Sequence, residues 1–253
     1  MKNRKKLVIA NWKMNIGSVV EAKKLVSGVK KKISKIKKTE VVFCTSFVYL
    51  SSLQTIASKN IKLGAQNTFT EDQGSYTGEV SSIQLKQFGL SYCIVGHSER
   101  RKMGETDDMI NKKTISLLKS KISPVLCIGE VVHDEDGNYL DFIKKQLKSA
   151  LSGIDGKKIS NVVIAYEPVW AVGGKVAMES RGIHEMSLYI KKCLRELFGN
   201  DADSVLVLYG GTVNPENAKD IMENGFVDGL LVGRDSLSID SFSNIIKEVD
   251  SVK

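Results

Sequence analysis

Eight short apolar runs that alternate with helix-favouring segments are the feature that most constrains how this chain folds. The runs occupy residues 7–10, 41–44, 61–65, 92–95, 124–128, 162–166, 205–209 and 229–232, and amphipathic segments such as 19–33, 107–119, 139–151 and 186–198 lie between them. Short apolar runs of this kind indicate strands that are buried on both faces, as parallel strands covered by helices are. The pattern predicts an α/β protein with a parallel sheet.

The number of strand–helix units favours a closed sheet. Eight such units close into a (β/α)8 TIM barrel, and 253 residues is an ordinary length for one such domain. A doubly wound open sheet is the structural alternative. Against it, Asn-Trp-Lys-Met-Asn follows the first run in place of a glycine-rich dinucleotide turn, and no P-loop pattern occurs. Because no linker or low-complexity segment divides the chain, a single domain over residues 1–253 is predicted.

The net charge of +8 comes from one part of the chain. Residues 1–40 contain 13 Lys or Arg and two Asp or Glu, which gives this segment +11 and the remainder −3. Lysines concentrated on a helical segment are typical of a solvated helix face. Nucleic-acid-binding proteins combine basic residues with a recognisable module, and the sequence contains none, so no nucleic-acid partner is expected.

The distribution of apolar residues predicts a cytoplasmic protein. The run at residues 7–10 is too short for a secretory signal, and no stretch approaches the roughly 20 apolar residues that span a bilayer. Cys44, Cys93, Cys127 and Cys193 lie in apolar strand or helix patterns without a Cys-x-x-Cys pair. Reduced, buried thiols are therefore predicted rather than disulfides or metal ligands.

Polar residues follow the apolar runs where the predicted strands end. They are Asn11 and Lys13, Gln66 and Asn67, His97 and Glu99, Glu167, residues 210–212, and Gly233 with Arg234. The carboxyl ends of barrel strands form active sites, so a cation, an imidazole and a carboxylate are expected to converge there. Glycine-containing turns after the last two strands let backbone N–H groups approach an anion closely. A small phosphorylated substrate is predicted.

Seven segments of the sequence resemble the triosephosphate isomerase family. They are residues 10–15 (ANWKMN), 64–67 (GAQN), 76–79 (YTGE), 96–101 (GHSERR), 127–130 (CIGE), 165–171 (AYEPVWA) and 209–215 (YGGTVNP). They occur in the family's order over essentially the whole chain. The resemblance implies an isomerase of glycolysis and gluconeogenesis that interconverts dihydroxyacetone phosphate and D-glyceraldehyde 3-phosphate through an enediolate, without a cofactor or a metal.

By this resemblance, Glu167 is the base that moves a proton between the two carbons. Neutral His97 donates a hydrogen bond to the carbonyl oxygen, and a short helix expected after Ser98 disfavours protonation of His97 through the positive end of the helix dipole. Lys13 and Asn11 stabilise the negative charge that develops, and Glu99 is the ion-pair partner that orients Lys13.

The same resemblance names the groups around the substrate. Those expected to hold the phosphorylated triose are Asn11, Lys13 and the backbone N–H groups near Gly173, Thr212, Gly233 and Arg234. Those expected to support the site from behind are Glu99, Ser98, Cys127, Tyr209, Leu231 and Val172. Among them, Tyr209 is expected to brace the lid, which is the segment of residues 168–175 that follows the base.

A homodimer is also implied. The loop of residues 66–79 is expected to dock into a second subunit, where Thr77 would approach that subunit's Asn11 and Lys13. A long polar loop without a helix or strand of its own is uncommon in a compact domain unless it has a function.

Two places depart from the family's usual pattern. The lid usually reads Pro-Val-Trp-Ala-Ile-Gly-Thr-Gly-Lys, but here one residue is missing, which shortens its reach by up to about 3.5 Å; the hinge after it, residues 176–180, departs as well. Arg234 stands where the family has a glycine. If that position needs a positive φ, Arg234 is strained; if not, its guanidinium adds to phosphate binding. We expect an active isomerase that loses more enediolate to methylglyoxal and phosphate.

Two other functions remain open at this point. Another phosphate-binding barrel isomerase would share the fold and the phosphate turns. A non-catalytic barrel with a binding role would account for the short lid and the basic segment. The joint presence of Lys13, His97 and Glu167 argues against both.

Overall fold

The computed structural model describes residues 5–171 and 178–252, and within them eight parallel strands form a closed barrel. The strands are β1 (Lys6–Asn11), β2 (Thr39–Thr45), β3 (Ile61–Ala65), β4 (Tyr92–Val95), β5 (Ser123–Ile128), β6 (Val163–Tyr166), β7 (Leu206–Tyr209) and β8 (Gly229–Val232). Each strand pairs with the next along the chain, and β8 pairs with β1, where Leu7 lies opposite Gly229. The predicted (β/α)8 barrel is confirmed, and every strand boundary lies within two residues of the apolar run that predicted it.

Helices follow the strands around the outside of the barrel. They are α1 (Val19–Lys32), α2 (Leu50–Leu53), α3 (Ser82–Gln87), α4 (Ser98–Lys102), α5 (Asp107–Lys119), α6 (Asn138–Ala150), α7 (Gly156–Ile159), α8 (Ser180–Phe198), α9 (Ala218–Asn224) and α10 (Ile239–Ser251). Helix α8 begins well before the predicted residue 186, at Ser180. Its first turn, Ser-Arg-Gly, carries none of the apolar positions by which an amphipathic helix is detected.

The core has two layers, and β1 shows how one strand supplies both. Successive side chains of a strand point to opposite faces. Leu7 and Ile9 belong to the cluster that fills the barrel, whereas Val8 and Ala10 belong to the cluster between the barrel and the helices. This double burial is why the strands read as continuous apolar runs rather than alternating ones.

The remaining sequence predictions on the fold concern thiols and charge. All four cysteines are free and buried, as predicted. The lysines of α1 and the turn after it are mostly exposed, with Lys30 partly buried, which agrees with a solvated helix face. No helix in the described ranges is long and apolar enough to cross a membrane.

Gly129 directly follows β5. Because it has no side chain, the backbone of Glu167, directly after β6, can pass close beside it. A Cβ atom on Gly129 would lie 1.8 Å from the carbonyl oxygen of Glu167, so no other residue fits without moving that backbone. The backbone N–H of Glu167 donates to the carbonyl of Ile128 at 2.8 Å. The two strand ends are therefore in direct contact where the predicted base begins.

Candidate active site

A cavity of about 220 Å³ opens at the carboxyl ends of the strands. Its walls include Asn11, Lys13, His97, Glu167, Thr212, Leu231, Gly233 and Arg234. These residues follow or end five different strands, and they come from the whole length of the chain. The fold thus brings together the predicted cation, imidazole and carboxylate with both glycine-containing turns. Among the described residues, no group of three or more His, Cys, Asp or Glu side chains is arranged to hold a metal ion.

Glu167 is buried at the end of β6 and is held by two donors. Its Oε1 accepts a 2.7 Å hydrogen bond from the backbone N–H of Ser98. Its Oε2 lies 3.2 Å from Nε2 of His97. Burial raises the pKa of Glu167 to about 8, while the Ser98 amide and the Lys13 ammonium act in the opposite direction. The carboxylate is therefore a stronger base than an exposed one.

His97 is the N-cap of the short helix α4, which begins at Ser98, one residue before the predicted start. Its Nδ1 accepts a 3.2 Å hydrogen bond from the backbone N–H of Glu99, which assigns the ring proton to Nε2. Burial lowers the pKa of His97 to about 4; the Glu99 carboxylate raises it and the Lys13 ammonium lowers it. The helix end contributes through its amide, but burial is the largest cause of the neutral imidazole. The Nε2–H group is directed at Glu167 and the cavity.

Lys13 has a backbone conformation that is unusual for a residue with a side chain. Its φ of 51° lies in the left-handed region, which costs roughly 1 kcal/mol for a non-glycine residue. The Oδ1 of Asn11 accepts from the Lys13 N–H at 3.1 Å, and Nε2 of Gln66 donates to its carbonyl at 2.9 Å. The ammonium lies 2.8 Å from Oε1 of Glu99. These contacts fix the cation at the cavity wall, and Gln66, predicted only as a polar residue after β3, supports the Lys13 backbone.

Two turns form the other end of the cavity. Gly233 precedes a 3₁₀ helix, Arg234–Leu237, in which the backbone N–H and the hydroxyl of Ser236 both donate to the Gly233 carbonyl. Arg234 is not among the non-glycine residues with positive φ, so the condition for strain is not met, and the alternative, a guanidinium that adds to phosphate binding, stays a prediction. The large side chain fits because the chain enters a helical turn with negative φ at this position. Arg234 and Gly233 both border the cavity, with the Lys13 side chain close to Gly233.

The lid lies partly outside the described residues, and so do Val172 and Gly173. Ala171 and Met178, which flank residues 172–177, contact the turn after β7 and β7 itself, respectively. The Thr212 hydroxyl donates to the carbonyl of Ala171 at 2.8 Å. Burial raises the pKa of Tyr209 to about 12, and the backbone of Met178 acts in the opposite direction, which places that phenol beside Met178.

Cys127 and Leu231, which were predicted to support the site, lie inside the barrel. Both are buried in the cluster that fills the barrel. Burial raises the pKa of the Cys127 thiol well above its ordinary value, and the neighbouring Glu167 carboxylate raises it further. Cys127 is therefore a neutral packing group below the base rather than a nucleophile.

A cluster that the sequence did not predict lies where the lid begins, and we call it the lid root: Glu130, His133, Tyr166 and Trp170. The Oε1 of Glu130 accepts from the Tyr166 hydroxyl and from Nε1 of Trp170, each at 2.9 Å. Nδ1 of His133 lies 3.1 Å from the same oxygen. Glu130 is 1% exposed, so these contacts take the place of water around its carboxyl group. Detecting the cluster from sequence would have required knowing that the ends of β5 and β6 converge.

An exposed apolar surface lies on the other side of Lys13. It includes Met14 and Met103, of which Met14 is 94% exposed. A cavity of about 330 Å³ lies there and reaches Lys13, Met14 and Met103. Every residue from 71 to 79 is exposed, Thr77 included, and Thr77 does not line the 220 Å³ cavity of its own chain. A large exposed methionine surface beside a projecting loop is typical of a protein–protein interface.

Comparison with known proteins adds to this geometry. The family model described as triosephosphate isomerase matches residues 6–249. The triosephosphate isomerase of Endomicrobium trichonymphae is 41% identical to the chain over 248 residues, which cover 96% of the chain and 98% of the relative. That of Alkaliphilus oremlandii is 42% identical over 247 residues, covering 96% and 99% respectively. That of Thermoanaerobacter sp. strain X514 is 41% identical with the same coverage.

Proposed function

This chain belongs to the triosephosphate isomerase family, and on that premise we propose that Glu167, His97, Lys13 and Asn11 carry out its reaction at the carboxyl ends of the strands. The protein is an isomerase that interconverts triose phosphates, in glycolysis. Membership of the family favours this activity over the two alternatives, another isomerase barrel and a non-catalytic barrel. We further propose that residues 1–253 act as one catalytic domain.

The state of Glu167 is the observation that carries the assignment of the base. A buried carboxylate that faces a cavity has its charge weakly solvated, so it removes a proton from carbon more readily than an exposed carboxylate would. In the ligand-free site it is held by the Ser98 amide and by Nε2 of His97. A substrate carbonyl oxygen that replaces the carboxylate at Nε2–H frees the base to act on the adjacent carbon.

Proton transfer leaves negative charge on the substrate oxygens, and two groups face that charge. Neutral His97 donates a hydrogen bond from Nε2–H to the oxygen. A cationic imidazole would lose its proton too readily to act only as a hydrogen-bond donor. The ammonium of Lys13, held by Glu99, supplies fixed positive charge. Removing one such preorganised donor typically costs roughly 3 kcal/mol of transition-state stabilisation.

The phosphate binds, in this proposal, at the turns after β7 and β8. Backbone N–H groups near Thr212, Gly233 and Arg234 approach the anion, and those near Gly173 are added by the lid. The side chain of Arg234 borders the same cavity and contributes positive charge.

We also propose that the protein is a cytoplasmic homodimer. The loop of residues 66–79 projects from the barrel, with Phe69 and Tyr76 in ring contact at 4.6 Å. The cavity beside Lys13 and the exposed Met14 is a receptor of suitable size for the tip of a second copy's loop. Seating Thr77 there would cover the Lys13–Glu99 pair, which strengthens it by removing water.

The test is a coupled assay with glyceraldehyde 3-phosphate on the purified chain and on Glu167→Gln. The substitution keeps size but removes the base, so kcat is expected to fall by roughly 10²–10⁴-fold. Glu223→Gln, an exposed carboxylate on α9, is the matched control and is expected to leave kcat unchanged. Turnover in Glu167→Gln equal to that of the unaltered chain would overturn the assignment of the base.

A further inference from the structure

We propose that a second cavity, behind Glu167, binds a small organic anion with an apolar body, and that this occupant slows the reaction by holding Glu167 in its ligand-free position. We call it the rear cavity, and the lining residues that carry the argument are Lys102, Val131, Phe142, Lys145, Gln146 and Glu167. Binding follows from the cavity alone, whereas the effect on turnover rests on the proposed function, in which Glu167 is the base.

The rear cavity has a volume of about 390 Å³ and opens among α4, α5, α6 and the segments that follow β5 and β6. Its lining shares Glu167 with the catalytic cavity of about 220 Å³, and the two have no other described residue in common. Glu167 is therefore the wall between them. Cavities of a few hundred cubic ångströms are usual for small-molecule sites.

The outer part of the rear cavity is positively charged. Lys102 on α4 and Lys145 on α6 are exposed and line it. In the described part of the chain neither forms an ion pair, whereas Arg101, a third cation of the lining, is bound to Asp107 at 2.6 Å. An anion beside the two ammonium groups would form charge-assisted hydrogen bonds with them. The lining therefore favours an anionic head group over a neutral or a cationic one.

Gln146 supplies neutral donors in the inner part of the rear cavity. Its side chain is buried, and its Oε1 accepts from the backbone N–H of Gly129 at 3.0 Å. This contact fixes the orientation of the amide, so only its Nε2–H groups are left to bind an occupant. Within residues 5–171 and 178–252, no group accepts from Nε2. A carboxylate oxygen inside the cavity would satisfy these donors.

Two apolar side chains of the lining are exposed to solvent. Phe142 is 44% exposed and Val131 is 63% exposed. Phe142 and Lys145 lie three residues apart on α6, which makes them neighbours on one face of the helix. An apolar body can therefore contact Phe142 while its carboxylate stays near Lys145. Covering these side chains removes apolar surface from water, which inorganic phosphate, with no apolar body, would not do.

Glu167 and Ser98 connect the rear cavity to the reaction. Oε1 of Glu167 accepts from the Ser98 backbone N–H at 2.7 Å, and both residues line the rear cavity. In the proposed reaction, the carboxyl group moves from its ligand-free contacts towards a substrate carbon. An occupant that packs against the ligand-free arrangement binds it better than the shifted one and so increases its population. Because substrate binds in the other cavity, inhibition is expected to lower kcat even at saturating substrate.

Titration calorimetry with octanoate tests the site directly. Octanol and octylammonium carry the same chain without the negative charge, so each is expected to bind about tenfold more weakly or less. Acetate carries the same head group without the apolar body and is expected to bind far more weakly than octanoate. Equal affinities for octanoate and octanol, or for octanoate and acetate, would contradict the proposed chemistry of the occupant.

Lys145→Glu places a like charge beside the anion, so the affinity for octanoate is expected to fall by about tenfold. Lys148→Glu is the matched control, because it makes the same change in net charge at an exposed position of α6 that does not line the rear cavity. It is expected to bind octanoate as the unaltered chain does. Both substitutions are at exposed positions, so neither is expected to prevent folding.

The functional arm is turnover of glyceraldehyde 3-phosphate at a series of octanoate concentrations. In the unaltered chain and in Lys148→Glu, saturating octanoate is expected to lower kcat by about fivefold or more, with KM little changed. Lys145→Glu is expected to have the unaltered kcat without octanoate and to need about tenfold more octanoate for the same inhibition.

An affinity for octanoate that is the same in Lys145→Glu and Lys148→Glu would overturn the proposal. Inhibition that saturating substrate abolishes would also overturn it, because the anion would then occupy the catalytic cavity. Binding that depends on Lys145 but leaves kcat unaltered would overturn the link to Glu167. Absence of isomerase activity in all chains would overturn the proposed function instead, and calorimetry would still decide whether the rear cavity binds the anion.

Discussion

At the scale of single residues, burial moves the pKa values of two neighbouring groups, Glu167 and His97, in opposite directions. The pKa of Glu167 moves up to about 8 and that of His97 moves down to about 4, because the charged form of each is poorly solvated. A barrel strand end can impose both shifts, since each side chain projects into a cavity whose floor is apolar. Burying these groups lowers the free energy of unfolding at pH values where their charged forms would dominate in the unfolded chain.

Glu167→Gln should make the protein more stable at neutral and alkaline pH. An unfolded carboxyl group releases its proton near pH 4.5, whereas the folded one retains it to about pH 8, so the folded state binds more protons in this window. The free energy of unfolding therefore falls as pH rises from about 4.5 to about 8, by at most about 1.4 kcal/mol per pH unit. The Glu167→Gln variant does not show this fall, because an amide does not titrate. Thermal unfolding at a series of pH values measures it.

The expected pattern is a Tm difference between Glu167→Gln and the unaltered chain that is near zero at about pH 4 and widens up to about pH 8. Glu223→Gln should track the unaltered chain throughout. A constant difference across this range would show that the folded Glu167 ionises like an ordinary carboxyl group.

At the scale of elements, the lid is attached at both ends to groups that the structure describes. Ala171 accepts from Thr212 before it, and Met178 lies beside Tyr209 after it. A lid with fixed ends and one residue fewer must either span less distance or rise less far from the barrel. Shielding of the enediolate from water depends on that geometry more than on the identity of any one lid residue.

Insertion of Thr between Gly173 and Gly174 restores the length usual in the family. We expect it to lower the methylglyoxal formed per isomerisation, because a lid of full reach excludes water from the intermediate for longer. Coupled detection of methylglyoxal and of glyceraldehyde 3-phosphate in one reaction gives the ratio. Insertion of Thr after Gly153, in the turn between α6 and α7, is the length-matched control, and an equal leak in all three proteins contradicts the prediction.

At the scale of the whole molecule, the exposed methionines and the projecting loop are features of a surface that a second copy would cover. Met14 follows Lys13 directly, so whatever covers Met14 also lies against the cation of the site. Assembly and catalysis are therefore expected to be linked, because water that reaches Lys13 weakens the charge it offers to the substrate.

Met14→Arg is expected to produce a monomer with lower activity. A guanidinium at the centre of the proposed interface would have to be buried without a partner and would lie beside Lys13, which costs several kcal/mol. Sedimentation velocity gives the mass, and the coupled assay gives kcat at matched protein concentration. Val20→Arg, at an exposed position on α1, is the control; a dimeric, fully active Met14→Arg would contradict the proposed interface.

Features that depend on local interactions were predictable from the sequence, whereas features that depend on contacts between distant residues were not. The strands were predictable because burial on both faces leaves a local record, a short run of mostly apolar residues, at each position. His97 and Glu167 could be expected to lie close together because strand ends define one face of a barrel, whereas their roles were predicted from the family resemblance. The left-handed Lys13 was not predictable, since it depends on Gln66, which is distant in sequence. The lid root and the unstrained Arg234 likewise depend on contacts or backbone geometry beyond their own segments.

The pairing of β1 with β8 has a consequence for how the protein is made. Synthesis delivers Asn11 and Lys13 among the first residues and Gly233 among the last, so the ring cannot close until nearly the whole chain has left the ribosome. Until then the outer edge of β1 is an open strand edge, which readily pairs with other chains. The nascent protein therefore carries an aggregation-prone edge for most of its synthesis, and only its last strand removes it.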